Sequence, residues 1–225
     1  MAADEAGADL VGSIDEPLRL AEFLCARLCH DIAGSLGALM GSLELAREQP
    51  AAAEGTAEEA IALANDTGRA LVSRLRLLRA AWAGTGTPLD LPSLADLAQG
   101  LSRRQVALDI SALPPETVFP PAIGRVVLNL VLLAAEALPA GGTIRLDRVE
   151  GELLVGVTGP RSAWPAGLGA ALAGKAKIEG PRELQAPLTV LLARAAGLAL
   201  SILMPAGPSE PSGAPPLLLD VSASA

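Results

Sequence analysis

The sequence predicts an α+β chain: two long helices followed by a smaller α/β sandwich. Three observations carry that prediction. Leu20, Leu24, Leu28, Ile32, Leu36, Leu39 and Leu43 recur at spacings of four and three, which places them along one helical seam. Ile61, Ala64, Gly68, Leu71, Leu75, Leu78 and Trp82 repeat the alternation in a second segment. Beyond Gly84-Thr85-Gly86-Thr87-Pro88 the helical period gives way to short strand-like runs punctuated by Pro-Pro and Gly-Gly.

Residues 1–14 are small and acidic and read as a disordered N-terminus. Asp15 is placed to cap the first helix, with Pro17 in its first turn, where a missing N–H costs no intrahelical bond. The seam carries that helix to about Gln49, and Pro50 stops it. After a loop through Gly55, Thr56-Ala57-Glu58-Glu59 forms a capping-box pattern that opens the second helix, which ends before Gly84. At 1.5 Å per residue the two helices are roughly 50 and 40 Å long. Residues 15–84 are therefore expected to form an antiparallel hairpin. One hairpin cannot bury seams of this length on its own, which points to a homodimer built on a four-helix bundle.

Residues 85–225 are expected to form the second domain. The segments read as a short helix (Ser93 to Ser102), a strand (Val106 to Ile110) and an apolar helix (Ala122 to Leu138) introduced by Pro120 and Pro121. Two strands follow, Thr143 to Val149 and Glu152 to Thr158, then a helix from Leu184 to Ala196. Leu198 to Met204 and Pro216 to Val221 make a last strand pair, and Pro205 to Pro216 is a loop.

Composition narrows the function classes. Apolar residues make up 51% of the chain, with two Phe, two Trp and no Tyr, which suits helices packed through small and aliphatic side chains. Mean hydropathy is +0.42, yet the longest strongly apolar run, Val126 to Ala135, falls well short of the roughly 20 residues a bilayer span requires. The N-terminus carries Asp4, Glu5 and Asp9 rather than a basic leader, so a cytoplasmic protein with no membrane contact is expected. A net charge of −8 argues against broad nucleic-acid binding. One local exception is the acid-free stretch with Arg69, Arg74, Arg76 and Arg79, either a solvated face or a docking strip for an acidic partner. Cys25 and Cys29 lack the further Cys or His ligands that a metal site needs, and are expected to be buried thiols.

His30 is the only histidine, within Leu28-Cys29-His30-Asp31. At about 100° per residue it lies roughly 200° from both Leu28 and Ile32, off the apolar seam. An exposed imidazole beside a carboxylate is suited to nucleophilic or proton-transfer chemistry: one ring nitrogen attacks while the other is held protonated. The same face carries Arg27, Gly34, Gly37 and Gly41. Three glycines inside a helix cost roughly 3 kcal/mol relative to alanine. Either another helix packs closely on that face, or a partner protein approaches the imidazole there. Arg27 is either a partner for a bound phosphoryl group or a solvated side chain.

These residues resemble the phosphoacceptor segment of dimeric histidine kinases, and more closely the alphaproteobacterial ChpT-type histidine phosphotransferases. The blocks that carry the resemblance are Ala26-Arg27-Leu28-Cys29-His30-Asp31, Val127-Leu128-Asn129, Ala137-Leu138-Pro139-Ala140-Gly141-Gly142, Thr158-Gly159-Pro160-Arg161 and Leu192-Ala193-Arg194-Ala195-Ala196-Gly197. It extends over nearly everything from Leu20 onward. It implies a homodimer whose second domain is a degenerate histidine-kinase-like ATPase sandwich. It further implies that His30, assisted by Asp31, relays phosphoryl groups between receiver domains of a hybrid histidine kinase and of response regulators. Arg27, Gly34, Gly37 and Gly41 are then the docking surface around the phosphoacceptor, and docking by the second domain rests on the resemblance alone. No cofactor of the chain's own is implied, since Mg²⁺ comes with the receiver.

Two departures stand out. Ser35 replaces the proline that kinases place five residues after the histidine, which implies a straighter helix. Gly34 leaves no side chain to position a water, so phosphatase activity is not expected. In the second domain Leu133 stands where the kinase metal-binding Asn would fall, and Val157-Thr158-Gly159-Pro160 lacks the Asp for adenine. Gly167-Leu168-Gly169 is only a weak glycine match. The alternatives are an ATP-dependent kinase without a sensor, or a dimeric adaptor in which His30 is inert.

Overall fold

The computed structural model describes residues 2–48, 56–101, 105–203 and 213–221. Pro50, the loop through Gly55, Ser102, Met204 and most of the expected loop from Pro205 to Pro216 lie outside them. The contacts divide the chain into two compact units. One comprises Met1–Thr67 with Lys177–Leu184, the other Gly68–Ala176 with Gln185–Ala225. The division thus falls inside the second helix rather than at Gly84, and a segment from the C-terminal half joins the helical unit.

In the first unit α1 spans Ala2–Glu48, so the stretch expected to be disordered is helical from Ala2 onward. Asp15 therefore stands inside the helix rather than at its start, and Pro17 lies within it rather than in its first turn. The alanine content of residues 2–8 favours this outcome, since alanine has the highest helix propensity. The helix continues without interruption through Ser35, as its lack of proline implies. Helix α2 (Thr56–Leu78) starts at the capping-box threonine, with Glu58 and Glu59 in its first turn, where negative charge suits the helix dipole. Ser42, Ala60, Ala64 and Leu184 are buried in this unit. By contrast Leu36 and Leu43 on the α1 seam remain 47% and 45% exposed, and Ile61 on α2 is exposed as well.

One segment, Pro17–Arg47, is long and apolar enough to cross a membrane by length and composition. That corrects the expectation that no such stretch exists: Leu, Ile and Ala raise the average, while interspersed Gly, Ser and charged residues keep it from being a continuous apolar run. The segment also carries Arg19, Glu22, Arg27, Asp31 and Glu44. A charge at the centre of a bilayer helix costs about 2.5–3.5 kcal/mol on insertion scales. No membrane span is established.

The second unit is the mixed sandwich. After α2, a π-helical turn at Arg79–Ala83 ends at Gly84, whose φ of 75° suits glycine. The strands are β1 (Leu89–Asp90), β2 (Val106–Asp109), β3 (Val118–Phe119), β4 (Gly142–Val149), β5 (Glu152–Thr158), β6 (Ala199–Ile202) and β7 (Leu217–Asp220). The helices are α3 (Leu91–Ala98), α4 (Pro121–Glu136), α5 (Gly167–Leu172) and α6 (Gln185–Ala195). Five strands form one sheet in the order β2-β4-β5-β7-β6, in which β2 runs parallel to β4 and the other pairs are antiparallel. β1 and β3 make a separate two-stranded pair.

Side-chain alternation assigns the faces of the sheet. Ile144 pairs with Val157, Leu146 with Val155, and Val155 in turn with Leu217, all buried. Arg145 and Asp147 point the other way, 3.7 Å apart. The buried face meets α4 and α6. Helix α4 is buried from Val126 to Ala134, because it has the sheet on one side and α6 and the π-helical turn on others. Burying a Leu or Val side chain is worth about 1.5–3 kcal/mol, so this helix is the centre of the unit. Three glycines, Gly141, Gly142 and Gly159, let the backbone close the sheet's end. A Cβ at Gly142 would lie 2.3 Å from the Thr158 carbonyl oxygen, and one at Gly159 would lie 2.3 Å from that of Gly141. Two of the sequence blocks singled out above, Ala137 to Gly142 and Thr158 to Arg161, therefore abut.

Candidate functional site

His30 sits mid-helix on α1, and its side chain is 74% exposed. The seam logic explains the position. Leu28 and Ile32 take the half-buried side, and His30, midway between them, is turned to solvent. Asp31 is only 16% exposed, and its Oδ1 lies 3.7 Å from His30 Nδ1. That separation is too long for a hydrogen bond. It places the carboxylate on the Nδ1 side of the ring, leaving Nε2 as the opposite nitrogen. Catalytic hydrogen bonds are commonly long until a partner is bound.

Arg27 is not open to solvent. Its side chain is 16% exposed, its Nε lies 3.7 Å from Asp31 Oδ1, and its Nη1 donates a hydrogen bond to the Pro181 carbonyl at 3.2 Å. Pro181 opens a 3-10 turn, Pro181–Glu183, in the segment that belongs to the helical unit. The sequence offered Arg27 either as a phosphoryl partner or as a solvated residue. Its guanidinium instead spans the Pro181 carbonyl, in a strap formed by residues 177–184, and the Asp31 carboxylate.

Gly34, Gly37 and Gly41 are exposed, and a Cβ on any of them would meet nothing within 4 Å. Among the described residues nothing packs against these three positions, and the row leaves an open approach to the imidazole. Cys25 and Cys29 are free and exposed, which corrects the expectation of buried thiols. They flank the seam instead of lying on it. Among the described residues no three of His, Cys, Asp and Glu stand together as a metal set.

The arginine strip is not uniform. Arg76 Nη2 donates to Asp96 Oδ2 at 2.8 Å, so it is paired within the second unit. Arg69 and Arg79 are exposed, while Arg74 is half-buried. A cavity of about 220 Å³ in the second unit is lined by Arg76, Asp96, Thr85 and Arg125 among others, and by none of the candidate residues around His30.

A buried polar cluster on α4 and α6 went without a role at the level of sequence, although Asn129 lies in the block Val127-Leu128-Asn129. Asn129 Nδ2 donates to the Ala81 carbonyl at 2.7 Å and to the Arg125 carbonyl at 2.9 Å, while Gln185 Nε2 donates to Asn129 Oδ1 at 3.0 Å. Thr189 donates to the Gln185 carbonyl at 2.7 Å. Arg125 donates to the carbonyls of Ala81 and Trp82. Arg125 and Asn129 thus occupy the carbonyls of Ala81 and Trp82 that the π-helical turn leaves open. Leu133 is fully buried in the same helix.

An exposed histidine with an acidic neighbour on a long helix, ahead of a five-stranded α/β sandwich, defines the class of a histidine phosphotransfer protein. The comparisons agree with that class. Residues 92–207, just over half of the chain, match the family model for the histidine phosphotransferase C-terminal domain. The chain is 28% identical over 195 residues to the protein phosphotransferase ChpT of Brucella abortus (strain 2308), covering 82% of this chain and 90% of that protein. It is also similar to a solved structure of a bacterial phosphotransferase, with a TM-score of 0.67 and 25% identity over 90% of this chain and 95% of the other. The chain belongs to the ChpT-type histidine phosphotransferase family.

Proposed function

We propose that this protein relays phosphoryl groups between the aspartates of receiver domains, through phospho-His30, in a two-component phosphorelay. The observation that carries the reading is the imidazole itself, 74% exposed, with Asp31 on its Nδ1 side and an open glycine row along the approach. In the forward step the Nε2 lone pair forms a bond to phosphorus. The bond from phosphorus to the donor's aspartyl oxygen breaks, and its electron pair leaves on that carboxylate. Nδ1 keeps its proton, and Asp31 offsets the positive charge of the ring. In the return step a second receiver's carboxylate oxygen attacks phosphorus, and the N–P electron pair returns to Nε2. Gly34, Gly37 and Gly41 let a receiver approach without obstruction. Mg²⁺ arrives with the receiver.

ATP takes no part in this reading, and the second domain is a degenerate version of the kinase ATP-binding fold. Leu133 offers a fully buried alkyl group where a metal ligand is needed, and Thr158 follows Val157 where an adenine-binding Asp is needed. Without those groups, phosphoryl transfer from a nucleotide lacks both positioning and charge neutralisation. The protein acts as a homodimer in the cytoplasm, and its partners are receivers of a hybrid histidine kinase and of response regulators.

The test is incubation with a labelled phospho-receiver and, separately, with γ-labelled ATP and Mg²⁺. The expected result is acid-labile label on the wild type from the receiver, none from ATP, and none on His30→Ala from either. Label on His30→Ala equal to wild type, or none on either protein, rejects the relay. Label from ATP rejects ATP independence.

A further inference from the structure

We infer that Arg27 is a positioning residue, clamped between the Pro181 carbonyl and the Asp31 carboxylate, and that the 177–184 strap thereby sets the protonated nitrogen of His30. The inference rests on the phosphotransfer reading above and adds to it a part for the C-terminal half of the chain. Three observations support it. Arg27 lies on the helical unit's surface, where most side chains are exposed or half-exposed, yet its own is only 16% exposed. Its Nη1 and Nε engage different partners, Pro181 O at 3.2 Å and Asp31 Oδ1 at 3.7 Å. Asp31 Oδ1 in turn stands 3.7 Å from His30 Nδ1. The contacts form a line: strap carbonyl, guanidinium, carboxylate, imidazole.

A planar guanidinium fixes direction as well as charge, because its N–H groups point along set vectors. A carbonyl at one end therefore restricts where the other end can hold a carboxylate. With Asp31 kept on the Nδ1 side, the neutral ring carries its proton on Nδ1 and presents an unprotonated Nε2 to phosphorus. Release of Arg27 removes one of the groups that hold Asp31 on the Nδ1 side, which loosens the carboxylate and mixes the two tautomers. An arginine acting as a direct phosphoryl ligand would need its guanidinium turned outward, beside Nε2, and here it is committed to the strap.

The experiment uses the full-length protein as Arg27→Gln, Asp31→Asn and the double variant, with Pro181→Gly as an independent release of the strap that keeps the carbonyl. Transfer from a phospho-receiver and the ¹⁵N shifts of His30 are both measured. Arg27→Gln is expected to slow transfer about fivefold and Asp31→Asn about tenfold, with the double variant no slower than Asp31→Asn, since one acts through the other. The ¹⁵N shifts of Arg27→Gln and Pro181→Gly move towards a mixed tautomer. Multiplicative rate losses, or unchanged ¹⁵N shifts in Arg27→Gln, overturn the inference. Absence of transfer in wild type with a normal Nδ1–H signature rejects the phosphotransfer reading and leaves this one standing.

Discussion

Asn129 illustrates how one amide can organise a core. Its two N–H groups reach the carbonyls of Ala81 and Arg125, and its oxygen accepts from Gln185. With 0% of the residue exposed, no solvent replaces a lost partner. Leaving a buried donor or acceptor unmatched costs about 1–3 kcal/mol each. Asn129→Ala leaves the Gln185 amide without the side-chain oxygen and the Ala81 carbonyl with Arg125 alone. A loss of about 2–3 kcal/mol is expected in urea unfolding. Asn129→Asp should lose more, because an oxygen then faces the Ala81 carbonyl. Equal stability of wild type and Asn129→Ala would show that the network is dispensable. The sequence held a faint signal for this cluster: one amide inside an otherwise apolar run from Val126 to Ala135, and Gln185 and Thr189 at i,i+4. Their meeting depends on α4 and α6 being neighbours, which no local pattern encodes. His30 was legible because the opposite holds: its position off the seam is a property of one helix.

At the scale of elements, α3 shows how a local rule sets a measurable property. Asp90 precedes the helix, and its Oδ1 accepts a hydrogen bond from the Ser93 N–H at 2.8 Å. The side-chain and backbone bonds from Ser93 hold the Asp90 carboxyl below the usual carboxylate range. A lowered value in the folded state means that the cap's contribution is present above the unfolded-state pKa and is lost as pH falls through the folded one. Denaturation midpoints measured below about pH 4 should therefore fall less steeply for Asp90→Asn, which still caps but does not titrate, than for wild type. Identical acid limbs would remove Asp90 from the pH dependence. Long periodic elements were readable in advance: β5 has the expected ends, and α4 and α6 start and stop within a residue or two of expectation. β1 and β3 were not, since two residues cannot show a period of two. Gly167-Leu168-Gly169 offered only a weak glycine match and no helix signal, since glycine disfavours helix, yet burial of Leu168 and Ala171 holds a short α5 there. The helical end of α2 was readable from Gly84, whereas its widening into a π-helical turn depends on Arg125 and Asn129 from a distant helix.

At the scale of the whole molecule, the chain's linear halves are not its physical units. Residues 177–184 belong with α1 through contacts such as a backbone carbonyl accepting from Arg27, and a carbonyl leaves no trace in sequence. The seam of α1, by contrast, is plain in the sequence and unfinished in the single chain. Leu36, Met40 and Leu43 remain 47%, 50% and 45% exposed, on one side of the helix. Such a contiguous apolar surface on a helix is characteristic of an interface, and the glycine row and His30 lie away from it. A second copy packing seam to seam would bury Leu36, Met40 and Leu43 and would leave both imidazoles outward, as the proposed relay chemistry requires. Leu36→Glu with Leu43→Glu would then place four carboxylates in the dimer interface, each costing several kcal/mol to desolvate. Sedimentation should give a dimer mass for wild type and a monomer mass for the double variant, with helical circular dichroism from the second unit preserved. A wild type that sediments as a monomer at micromolar concentration, or a double variant that stays dimeric, rules out this seam as the dimer interface.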